Sequence, residues 1–156
     1  MTTGPERHDI ENRADCERLV RAFYARAMVD PIIGFLFVDV AKLDLEAHVP
    51  QITSFWETML LDVASYNGRP FRPHLGLNAK TPIKRGHFER WLFLLHKTVD
   101  ELFIGERAEL AKSHATRVAN AFHERLRASE QDQADPDRHR PAELPIVQHH
   151  GRAGDN

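Results

Sequence analysis

Apolar residues recur with helical spacing over four separate stretches of this chain, and no stretch of any length alternates apolar and polar positions as a strand would. The first stretch sets Leu19, Val20, Phe23, Ala27 and Met28 on one face and predicts a helix from about Asn12 to Val29. Asp15 is a candidate cap for its first strong turn, with an earlier start at Asp9 left open. Asp30-Pro31 ends it, because the residue before a proline avoids the helical region. A second helix is expected from about Leu45 to Asp62, with Asp44 as N-cap and Ile52, Phe55, Trp56, Met59 and Leu60 as its stripe. Pro50 lacks an N–H, so it either lies in the first turn or kinks the helix, and the backbone near His48 should be irregular. A third helix from near Lys84 to about Phe103 carries Phe88, Trp91, Leu92, Leu95, Val99 and Leu102 inward, and Gly105 breaks it. The fourth, from about Glu106 to Ala128, turns Leu110, Val118, Ala121, Phe122 and Leu126 to the interior. The expected class is all-α.

The connections differ in character. Ile32 to Phe37 is a short apolar connector whose phenylalanines need burial, which the edge of a cofactor can supply. Residues 63 to 83 hold Gly68, Pro70, Pro73, Gly76 and Pro82 and show no clean helical stripe. A connection of that length inside a compact domain is usually functional or disordered; Phe71, Leu75 and Leu77 around His74 argue for an ordered, packed one. From Glu130 onward the chain is polar and proline-punctuated. The expected division is a globular domain over 1–129 and a mostly disordered tail over 130–156.

An apolar fraction of 42% is enough for a core plus a modest cavity. A net charge of -2, with no face-wide basic excess, argues against a nucleic-acid partner. The longest apolar runs are too short to insert in a membrane, and the first residues hold no apolar signal core. Cys16 is the single cysteine, so no internal disulfide framework exists; its spacing from Val20 and Phe23 reads as a small buried hydrophobe. A soluble cytoplasmic protein is expected.

Ten histidines are the obvious candidate metal ligands. His8, His139, His149 and His150 lie in polar termini, and His87, His96, His114 and His123 lie on helices where a solvent-facing or hydrogen-bonded imidazole is the default. Neither a Glu-x-x-His pair nor a His-Glu-x-x-His motif occurs, which argues against a di-iron bundle and a zincin site. His74 stands apart. It follows the Gly/Pro-rich turn Tyr66-Asn67-Gly68-Arg69-Pro70-Phe71-Arg72-Pro73, between two helical stretches. A lone imidazole held by a loop against an apolar helical interior is the usual way a protein grips a haem iron from one side. There is no Cys-x-x-Cys-His, so any haem is held without covalent attachment. His48 leads the stripe His48, Ile52, Phe55, Met59 and so faces the core, where an imidazole needs a partner. Tyr24, four residues after Val20, and Trp91 also sit on apolar faces. Each is either an ordinary core aromatic with a peripheral polar partner or a hydrogen-bond donor aimed at a ligand.

Taken in order, Leu19-Val20-Arg21-Ala22-Phe23-Tyr24, Asp30-Pro31-Ile32-Ile33-Gly34, Phe55-Trp56-Glu57-Thr58-Met59-Leu60, Tyr66-Asn67-Gly68-Arg69-Pro70 through His74-Leu75, and His87-Phe88-Glu89-Arg90-Trp91-Leu92 resemble the truncated haemoglobins of group III. The likeness runs from about Asp9 to Leu126, and it is the order and number of the pieces that make it specific. It implies a two-over-two helical sandwich with haem b (iron protoporphyrin IX) between its layers. By the resemblance, His74 matches the proximal iron ligand, and Tyr24, His48 and Trp91 match three polar distal positions. Phe35, Phe37, Phe55 and Leu95 are expected as apolar walls from their stripe positions. Pro50 and Gly86 depart from the family pattern.

The resemblance implies a globin that binds O2, CO and NO. Three donors from three helices should slow oxygen release, which favours reaction over bulk oxygen transport. The expected reactions are nitric-oxide dioxygenation and peroxide activation, with an unidentified reductase as partner and His48 as a proton shuttle or a gate. A haem-based gas or redox sensor acting through a partner, and a cofactor-free helical interaction module, are the other readings.

Overall fold

The computed structural model describes residues 6–66 and 80–134. Among them four α-helices form, with one isolated bridge between His8 and Phe103 and no strand, so the all-α expectation holds. Helix α1 spans Arg13–Ala27. Its N-cap is Asn12, whose extended backbone lets the side chain accept from the Asp15 amide at 3.0 Å. Asp15, the cap expected from sequence, lies one turn further in, and its carboxylate instead accepts from the Glu11 amide at 2.9 Å.

At the other end Met28 closes α1 on the Tyr24 carbonyl. Asp30 Oδ1 then accepts from the amides of Ile32 and Ile33, folding the chain into a tight turn. Gly34 lies so close to this end of α1 that a Cβ there would stand 2.7 Å from the Met28 carbonyl oxygen. The connector expected after Pro31 is itself helical and widens into one π turn, Leu36–Val40. That turn buries Leu36, half-buries Phe37 and leaves Phe35 at the surface.

Helix α2 spans Leu45–Leu61, with Asp44 as N-cap and Asp62 in the left-handed conformation closing it. Pro50 falls in the second turn, on the exposed side, and its carbonyl accepts from Arg13 Nη2 at 3.3 Å. The Glu46 carbonyl, one turn earlier, loses its helical donor there. Helix α3 spans Arg85–Leu102 and includes Gly86 in its first turn. Helix α4 spans Glu106–Ala134. It therefore runs through 130–134, which polar composition assigns to the tail. The reason is local: Ala128, Glu130, Gln131, Gln133 and Ala134 are good helix formers, and the stop comes only at Asp135-Pro136. The remaining tail, 135–156, and the loop positions 67–79 lie outside the described residues.

The helices pack as two pairs, α1 on α2 and α3 on α4, and the pairs meet through α1–α3 and α2–α4. Leu19, Val20, Val49, Leu95 and Val99 fill the shared core. Gly105 makes the α3–α4 corner. Its φ of +141° lies where a side chain strains the backbone, and a Cβ would meet Asp9 Cγ at 2.5 Å. Asp9 occupies that space to cap α4, accepting from the Arg107 and Ala108 amides at 2.9 Å each. Burial works against its charge, but these bonds and that from Ile10 hold the carboxyl below its ordinary range. Gly105→Ala should lower stability by about 1–3 kcal/mol, read by chemical denaturation; an unchanged midpoint would show that the corner relaxes freely.

Candidate functional site

A cavity of about 220 Å³ lies between the helix pairs. That is far more than a buried water needs. Helix α1 contributes Leu19, Val20, Phe23 and Tyr24, the connector Ile33, Leu36 and Phe37, and α2 His48, Ile52, Phe55 and Trp56. Helix α3 contributes His87, Phe88, Trp91 and Leu95, and α4 closes the wall with Val118, Ala119 and Phe122. The stripes that predicted the first three helices supply much of these walls, because their apolar faces converge without filling the centre; on α4 Leu110 and Ala121, expected inward, are exposed, and Ala108, Ala111, Ala115 and Ala119 are buried instead.

Few polar groups enter this space, and three of them are the predicted donors. The Tyr24 hydroxyl and His48 Nε2 stand 3.0 Å apart. Their rings meet edge to face at 5.6 Å, and Phe37 meets Tyr24 in the same way at 5.7 Å. Phe23 bridges the two sides of the group, touching Tyr24 at 5.3 Å and Trp91 at 5.8 Å. The Trp91 indole N–H has no hydrogen-bond acceptor among the described residues. Tyr24 is 7% exposed, and burial pushes its phenol far above the ordinary range. It is therefore a neutral O–H at any physiological pH. The proton of the Tyr24–His48 bond has two placements. If His48 Nε2 carries it, the phenol oxygen accepts and its own O–H is left to point into the cavity. If Nε2 is bare, the phenol donates to it and is used up.

The structure thus brings Tyr24, His48, Trp91, Phe37, Phe55 and Leu95 onto one cavity. Phe35 is a correction: it is not on the wall. Its position just before the π turn leaves it 37% exposed, with its ring edge-on to His87 at 5.8 Å. His74 lies outside the described residues. His87 is in part the ordinary hydrogen-bonded helical histidine that its position predicts, since its Nδ1 accepts from the Lys84 amide at 3.0 Å. It also lines the cavity. Burial, with Lys84 nearby, lowers its pKa, so a neutral ring carries its proton on Nε2. The spacing His87–Trp91, one helical turn, is the signal that places both on the same face. Cys16, with burial raising its thiol to about 11, is the inert core residue its spacing predicted.

No family model matches the chain. Over 118 residues it is 27% identical to the group 3 truncated hemoglobin ctb of Campylobacter jejuni, covering 74% of this chain and 91% of that protein. The crystal structure of a group III truncated hemoglobin from Campylobacter jejuni superposes with a TM-score of 0.67 at 26% identity, covering 78% of this chain and 95% of that one. The chain has the truncated-globin fold, and its likeness to group III extends through sequence and structure.

Proposed function

We propose, from this truncated-globin fold and the three donors in its cavity, that the protein holds haem b without covalent attachment and binds diatomic gases at its iron. The residues fit that group. A flat apolar ring needs apolar walls from several elements, and a polar ligand beside it needs a few fixed donors. Phe37, Phe55 and Leu95 belong to such walls, and Tyr24, His48 and Trp91 are such donors. By the family resemblance His74 would hold the iron. When bound, haem supplies an iron that takes up O2, CO or NO and exchanges electrons.

The chain's own contribution is polar. The Tyr24 O–H and the Trp91 N–H donate toward a small ligand that carries partial negative charge, and the apolar walls exclude the water that would compete. With the His48 proton on Nε2, His48 supports the phenol oxygen and frees the phenol proton for the ligand, a chain in which each bond strengthens the next. With Nε2 bare, the phenol proton is spent on His48, which would serve as a proton acceptor for peroxide only once that bond opens.

Donors of this kind retain oxygen too long for bulk transport. The reading is therefore a redox role, oxidation of nitric oxide or activation of peroxide, in the cytoplasm and fed by a reductase. The observation that carries it is the Tyr24–His48 contact at 3.0 Å inside an apolar cavity. In stopped-flow measurements on one oxygenated sample, oxygen should leave slowly and added nitric oxide should be consumed with nitrate as product. Fast oxygen release with no nitrate formed would contradict it.

A further inference from the structure

We propose that Asp30 and Arg90 form a clamp that sets the position of the Trp91 indole in the cavity wall, making them positioning residues for ligand retention; this rests on the reading of Trp91 as a ligand donor.

The two oxygens of one carboxylate hold two different elements. Asp30 Oδ1 accepts from the Ile32 and Ile33 amides at 2.9 and 3.1 Å and so fixes the turn after α1. Asp30 Oδ2 accepts from Arg90 Nε at 3.0 Å and Nη2 at 2.7 Å, a two-pronged grip on α3. The Asp30 side chain is only 3% exposed. The Arg90 bonds hold its carboxyl below the ordinary range, so it stays charged near neutrality. On its outer side the Arg90 guanidinium lies 5.2 Å over the Phe93 ring, which limits its rotamers.

Both ends of the clamp lead directly to the cavity. The turn it fixes carries Ile33 and Leu36 into one wall, and the residue after Arg90 is Trp91 in another. Gly34 packs against the Met28 carbonyl with no room for a side chain, so the turn cannot shift toward α1 to absorb a change. The rotation of α3 about its axis relative to the end of α1 is therefore set at Arg90, one residue from the indole. A geometry fixed by two charge-assisted bonds suits a donor whose strength depends on distance and angle.

The test uses the haem-loaded protein and its carbon-monoxide complex. Asp30→Asn keeps an oxygen for the Ile32 and Ile33 amides while removing the charge. Arg90→Lys keeps the charge while removing the fork. Each should shift the Trp91 indole N–H resonance, assigned by its loss in Trp91→Phe, move the C–O stretching band, and speed oxygen release several-fold. In the Trp91→Phe background neither should change the band further. Arg26→Ala is the control. It breaks the Arg26 bonds to Thr98 and Glu101, which also join α1 to α3 but lie toward the far end of α3. It should leave the indole resonance and the band in place.

If Trp91→Phe moves the band but both clamp variants match the wild type, the clamp is overturned and the donor reading stands. If Arg26→Ala shifts the signals as far as the clamp variants do, only general loosening is at work and the clamp is overturned. If Trp91→Phe leaves the band unmoved, the donor reading fails and the clamp falls with it. Should Asp30→Asn not fold, Arg90→Lys, the milder change, decides the outcome.

Discussion

Tyr24→Phe speeds oxygen release by about 10- to 100-fold. The phenol is buried and neutral, so its only role toward a ligand is as a donor. A hydrogen bond to a charged or strongly polarised acceptor is worth about 1.5–3 kcal/mol, and roughly 1.4 kcal/mol is a factor of ten in rate. Removing the hydroxyl also strips His48 of its partner at 3.0 Å. His48 also lines the cavity, so His48→Leu combined with Tyr24→Phe should exceed the single change. The two effects should not add, because the side chains act as one hydrogen-bonded unit. Stopped-flow displacement of oxygen by carbon monoxide reads both variants. A rate unchanged by Tyr24→Phe would remove the phenol from the ligand's surroundings.

His74→Ala costs the protein its haem. By the family resemblance the His74 imidazole would hold the iron, and the described cavity walls would add apolar contact with no direction. Loss of groups that merely support a metal ligand already costs about 10- to 100-fold in affinity, and loss of the ligand itself should exceed that. Transfer of haem to an excess of scavenger apoglobin should be complete in the time the wild type loses little. Imidazole added to the buffer should restore a bound spectrum, because it can supply the missing ligand. A variant that keeps an ordinary five-coordinate ferrous spectrum without imidazole would move the axial role to another residue.

Much of this arrangement was legible because the helices are long enough for periodicity to repeat. Leu19, Val20, Phe23 and Ala27 define the buried face of α1 over several turns, and all four are buried, with Asp15, Cys16 and Tyr24 beside them. His48 and Trp91 could be placed on inward faces for the same reason, and both line the cavity. Short segments gave less. Ile32 to Phe37 spans too few residues to separate a π turn from an irregular connector, so Phe35 was placed on the wall when it stands at the surface. Asn12 and Asp15 are both good cap residues within one turn of each other, and only the backbone decides between them. Polar composition alone suggests that α4 ends near Ala128, but Glu130 to Ala134 favour a helix until Pro136 intervenes. The Asp30–Arg90 pair joins residues 60 positions apart, and no local pattern announces a contact at that distance.

A haem titration of the purified protein, followed at the Soret band, tests the central claim that this cavity is a haem pocket. The account predicts saturation at one equivalent and, after reduction, conversion by carbon monoxide to a sharp low-spin spectrum. A titration that never saturates, or a band equal to that of free haem, would contradict it.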